Sequence, residues 1–134
     1  MSRLSWDETD FLECLEVVPE IEEYEISHTY SVEKSSIGLV VKVWQLESII
    51  ELELINQTNS SVISSYAILV RNGAEFIKSG NEEYLLFKNS LVLPSRFSYL
   101  DLGGAETLEE SSVGYNIKLS VNPDICIEYL RENT

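Results

Sequence analysis

Hydrophobic residues follow a helical period near the N-terminus and a strand period almost everywhere after it. Phe11, Leu12, Leu15 and Val18 share one helical face, with Asp10, Glu13 and Glu16 on the other side, which predicts an amphipathic helix. Ahead of it, Ser5-Trp6-Asp7-Glu8 has the form of a capping box, in which the Ser5 and Glu8 side chains satisfy each other's backbone amides. Pro19 disfavours helical backbone at Val18, so the helix is placed at about 6–17, docked by its apolar stripe with its acidic side outward.

From Tyr24 the period becomes two. Tyr24, Ile26, His28, Tyr30 and Val32 fall on one strand face, and Glu25, Ser27, Thr29, Ser31 and Glu33 on the other. Ile37–Gln45 is rich in β-branched residues and apolar on both faces, which predicts a strand covered on both sides with Trp44 under the helix. Ile50, Leu52 and Leu54 then alternate with Glu51 and Glu53. Helix competes across Val43–Leu54, because Gln, Leu and Glu favour it, but the alternation selects strand. Further strands are predicted at Val62–Arg71, Glu83–Lys88, Leu91–Leu93, Phe97–Leu102, Tyr115–Val121 and Ile125–Tyr129. Asn72-Gly73 has the chemistry of a type I′ hairpin turn and predicts pairing of Leu69 with Phe76 and Ile68 with Ile77. Asn122-Pro123-Asp124 marks the last turn, and residues 103–112 form the longest polar segment, read as a mobile loop.

Strands in succession joined by short turns predict a mainly β fold: an antiparallel β-sandwich or open barrel of about eight or nine strands with one N-terminal α-helix. No fixed-period repeat and no linker divides the chain, so residues 1–134 read as one domain with its sheet over about 24–131. At 134 residues and 44% hydrophobic content, the chain is long and apolar enough to bury a core. Apolar runs fall short of the ~20 residues that cross a bilayer, and the acidic N-terminus lacks the apolar stretch of a signal peptide. The expected location is the cytoplasm, where Cys14 and Cys126, far apart and without CxxC spacing, read as buried reduced thiols.

Charge changes the picture most. Twenty-three Asp and Glu against nine Lys and Arg give −14. Residues 1–33 hold ten acids and one base, Arg3, a charge of −9 that leaves only −5 for the other 101 residues. Such a field repels nucleic-acid phosphates and anionic membranes and attracts basic surfaces.

Candidate chemistry is sparse by comparison. His28 is the only histidine, and a nucleophilic triad would need it beside a Ser or Cys and an orienting acid. The sequence has no GxSxG, GxxxxGK[ST] or GxGxxG, no compact zinc spacing among His28, Cys14 and Cys126, and no DxDxDG-type calcium loop. No catalytic residue, metal or cofactor is therefore assigned, and the protein reads as a non-enzyme. The first functional reading is an acidic binding protein that engages a basic protein in the manner of an inhibitor or immunity protein. Its contact residues are Asp7, Glu8, Asp10, Glu13, Glu16, Glu20, Glu22, Glu23 and Glu25. The second is a structural homodimer that covers Ile37–Leu46 as an apolar edge strand. The third is a small-molecule or enzymatic pocket lined by His28, Tyr30 and Trp44. Arg96, beside Phe97 and Tyr99, is expected to join an aromatic patch or an ordinary ion pair.

Overall fold

The computed structural model describes residues 3–97 and 114–131. Within them, one helix, α1 (Glu8–Leu15), precedes nine strands: β1 (Glu20–Ile21), β2 (His28–Lys34), β3 (Ile37–Trp44), β4 (Ile49–Asn56), β5 (Ser61–Val70), β6 (Ala74–Ser79), β7 (Glu82–Leu93), β8 (Tyr115–Ser120) and β9 (Cys126–Arg131). All pairings are antiparallel, in the order β1-β2-β3-β4-β5-β7-β8-β9 with β6 also on β7. The mainly β architecture with one N-terminal helix is as predicted, and it takes the form of one continuous, unclosed sheet. Val43–Leu54 is strand, turn and strand. Of the predicted strand Phe97–Leu102 only Phe97 is described, and the segment 103–112 lies outside the described residues.

Cross-strand register explains why the sheet curls. Tyr30 faces Val41, Val41 faces Leu52 and Leu52 faces Tyr66, so these four form one row on the concave side. They share a core with Ile68, Leu85, Phe87, Ile117 and Leu119 from the strands that follow. Burying residues from β2 through β8 on one side bends the sheet around them. As a result Lys34 Nζ, at the end of β2, donates to Asn122 Oδ1, after β8, at 2.8 Å, although four strands lie between β2 and β8. Trp44, Ile49, Ala67, Leu69 and Leu93 pack as a second, smaller cluster on the convex face. β3 is paired on both sides, by β2 and β4, so the predicted apolar edge at Ile37–Leu46 is an interior strand.

α1 fills the concave side. Phe11, Cys14 and Leu15 are buried there at i, i+3 and i+4. Phe11 meets Trp6, Tyr30 and Phe87 at ring separations of 5.0, 5.7 and 6.2 Å. The cap is Asp7, whose side chain accepts from the Thr9 amide at 2.8 Å, and not the predicted Ser5. Residues 4–6 lie outside the helix and bond across to the sheet instead: Leu4 N–H donates to the Gln45 carbonyl and Ala74 N–H to the Ser5 carbonyl, at 2.8 and 2.9 Å. Glu16, in left-handed conformation with φ 60°, ends the helix. Leu12 and Val18, predicted to be buried, are exposed. Leu12 is rotated off the Phe11–Leu15 stripe, and Val18 lies beyond the helix end.

Asn72-Gly73 is not a hairpin turn. β5 and β6 lie end to end along the same edge of β7, with Val70 opposite Ser90 and Ala74 opposite Phe87. The Asn-Gly pair bends this long composite strand, held by Asn72 N–H to the Lys88 carbonyl and Lys88 N–H to the Gly73 carbonyl. The reversal falls at Gly80-Asn81, between Ser79 and Glu82. Gly73 is needed at the bend on two counts: its φ is +91°, and a Cβ there would sit 3.0 Å from the Ser5 carbonyl oxygen.

Candidate partner-binding face

β1 folds back on β2, which forces the chain to reverse over residues 22–27. Glu25 N–H donates to the Glu22 carbonyl at 2.9 Å and Glu22 N–H to the Ser27 carbonyl at 3.1 Å. Tyr24 and Glu25 take left-handed backbone at φ 60° and 55°. The sheet therefore does not begin at Tyr24: the inward alternation starts at His28, and Tyr24 and Ile26 are turned out, Tyr24 to 90% exposure. The local alternation is real but is overridden by the β1–β2 pairing. An exposed tyrosine held in a sparsely populated conformation at the tip of an acidic turn is the kind of residue found at contact surfaces.

Beside this turn, apolar residues left over from the core come together. Leu12, Val18, Pro19 and Ile21 converge with Glu8, Thr9 and Tyr30 around a hollow of about 220 Å³. Tyr30 is fully buried, and its hydroxyl has no hydrogen-bond partner. Burial, and then the Glu8 charge, push its phenol above the ordinary range. Glu8 Oε1 also lies 3.2 Å from His28 Nε2. The contact has the distance of an ion pair but not the alignment of a hydrogen bond, which leaves both buried ring nitrogens of His28 without an aligned partner. Trp6 packs edge-on against the imidazole at 5.0 Å.

The nine acids from Asp7 to Glu25 surround this hollow in sequence with no cation among them. Asp10 is half-buried and the other eight are exposed. Several have local roles: Asp7 caps α1, Glu13 approaches Lys78 at 3.8 Å, and Glu16 accepts from Asn122 Nδ2 at 2.6 Å. Glu22 lies 3.3 Å from Lys42. The facing Ser27 hydroxyl, buried and without a strictly aligned hydrogen bond, and then Lys42 hold the Glu22 carboxyl below the usual range. Of these acids, Glu8 is the one that lines the hollow.

His28, Tyr30 and Trp44 do not line one pocket. His28 and Tyr30 point to the concave side, whereas Trp44 follows Val43 and so faces the convex side, away from the helix. There its indole Nε1 donates to Glu51 Oε1 at 2.6 Å. Arg96 stacks 3.6 Å over the ring and shares its Nε–H between the two Glu47 carboxylate oxygens at 2.9 and 3.0 Å. Arg96 also lies over Phe97, while Tyr99 is outside the described residues. Among the described residues no group of three or more His, Cys, Asp or Glu converges as a metal site would, and no helix is long and apolar enough to cross a membrane.

Only one of the two predicted buried thiols is buried. Cys14 lies under α1 with its pKa pushed up to about 12 by burial, and Cys126 is exposed on β9. At pH 8 a disulfide reagent is expected to titrate one thiol quickly and the second only on unfolding. Two equally fast thiols would mean that α1 is not docked.

No protein-family model matches this chain, and no curated protein matches it. Among solved structures it is similar to a chain of a contact-dependent growth inhibition toxin–immunity protein complex from Klebsiella pneumoniae 342. The TM-score is 0.70 at 14% identity, over 96% of this chain and 97% of that one. At that identity the likeness is one of fold.

Proposed function

We propose that the protein is a non-enzymatic binding protein that neutralises a basic protein partner, in the manner of an immunity protein. Its contact face is built from α1, β1 and the turn at 22–27. The observation that carries this reading is an exposed apolar hollow lined by Glu8 in the N-terminal third, where −9 of the −14 net charge resides. A concentrated field of this kind steers a cationic partner, while the apolar centre supplies the lasting contact. The similar fold comes from a toxin–immunity complex, which supports a protein as the partner. Both partner and site of action are placed in the cytoplasm by this proposal.

The other readings draw less support. β3 is paired on both edges, so it offers no uncovered apolar strand for a second copy to cover. His28 is sealed between Trp6 and Glu8, with Trp44 on the opposite face, which speaks against a catalytic pocket at that position. The direct test is capture from the host lysate by immobilised protein at about 25 mM salt, with elution at about 300 mM. A basic protein is expected in the salt eluate. A capture that yields no basic protein would contradict the proposal.

A further inference from the structure

We infer that the hollow beside α1 is a receptor for one arginine side chain of the partner, with the guanidinium held by Glu8 and Tyr30. This rests on the binding-protein reading and specifies the chemistry at its centre. Leu12, Val18, Pro19 and Ile21 provide apolar walls for a methylene stem. At about 220 Å³ the hollow falls below the roughly 300–1,000 Å³ of sites for drug-sized ligands, and suits a single side chain. Of the lining residues only Glu8 is charged, and it is negative. One of its oxygens is turned to His28, so the other is available to a donor from outside.

Tyr30 is the second, independent observation. A buried hydroxyl without a partner costs stability, and most proteins avoid it. Here the orphan belongs to a residue that lines the hollow. The phenol oxygen is closed to solvent in the free protein, so the side chain must open the floor of the hollow as it enters; a guanidinium, with five donors on a rigid plane, can then serve the carboxylate and the phenol oxygen together. An ammonium is a compact point charge with a tighter hydration shell and meets this pair less well. An apolar side chain would leave the Tyr30 hydroxyl without a partner and offer nothing to the Glu8 charge.

The test is a two-dimensional amide NMR titration of the whole chain with N-acetyl-arginine N-methylamide. N-acetyl-citrulline N-methylamide, of the same shape but neutral, is the control. Shifts confined to residues 8–30 are expected with the arginine probe, and at least roughly fivefold weaker binding with citrulline. Tyr30→Phe, which keeps the ring in the core, is expected to retain the native spectrum and to weaken arginine binding by roughly fivefold. Equal response to both probes, absence of any response, shifts spread over the acids elsewhere on the sheet, or unchanged affinity in Tyr30→Phe would each overturn the inference. If the arginine probe fails while a basic partner is still captured from lysate, this inference falls and the binding-protein reading stands. If the probe binds and no basic partner exists, the reverse holds.

Discussion

Phe11→Ala is expected to lower the stability of the protein by about 3–5 kcal/mol, the usual range for emptying a fully buried aromatic site. Phe11 has no solvent exposure and touches Trp6, Tyr30 and Phe87, so no single neighbour can close the space it leaves. The consequence is local as well as global. α1 has eight residues, far too few to persist without tertiary packing. Releasing it scatters Glu8, Thr9 and Leu12, which line the hollow, and exposes Cys14. Urea denaturation should report the loss in stability, and fast labelling of both thiols the release of the helix. Leu12→Ala, at a position already 42% exposed, should stay within about 0.5 kcal/mol of the parent. If Phe11→Ala cost less than the Leu12 change, the concave core described above would be wrong.

The second large effect is kinetic. Reversing Glu20, Glu23 and Glu25 together to lysine takes the charge of residues 1–33 from −9 to −3. All three are exposed, so the change should barely alter stability and should relieve some repulsion. The association rate with a basic partner is expected to fall by roughly tenfold to a hundredfold, with a smaller effect on dissociation. The matched control reverses Glu82, Asp124 and Glu128, which line a separate groove between the β6–β7 and β8–β9 turns. That triple change alters net charge equally and should slow association far less. Equal slowing by both triples would show that net charge acts without the face.

How these features could be read beforehand depends on whether they are local. The strand period, the docked helix and the acid-rich N-terminal third are local patterns, and each survives in the structure. The helix cap is Asp7 and not Ser5 because the Ser5 carbonyl is taken by Ala74, an interaction with the sheet that no short motif records. Asn72-Gly73 carries a turn signal, but what it serves is the close approach of the N-terminal segment to Gly73. Tyr24 and Ile26 continue the alternation of β2 and are nevertheless turned out, since Glu20-Ile21 pairs back on Thr29 and His28. The hollow was the least accessible of all. It joins Leu12 from the helix flank, Val18 to Ile21 from the connection, and Tyr30 from β2, and only the β1–β2 pairing brings these together. The clues in the sequence are weak: Leu12 sits off the stripe of Phe11, Cys14 and Leu15, Val18 directly precedes Pro19 and so falls past the helix end, and Ile21 is an apolar residue between Glu20 and Glu22. Trp44 shows the converse error, since hydrophobicity on both faces of β3 does not tell which side the helix covers.

The central claim is that the acidic N-terminal face recruits a basic protein. Stopped-flow association of the parent protein with the partner captured at low salt, measured from about 25 to about 300 mM salt, tests it most directly. The account predicts an association rate that falls by roughly tenfold or more across that range while the dissociation rate changes little. An association rate that stays flat with salt would contradict it.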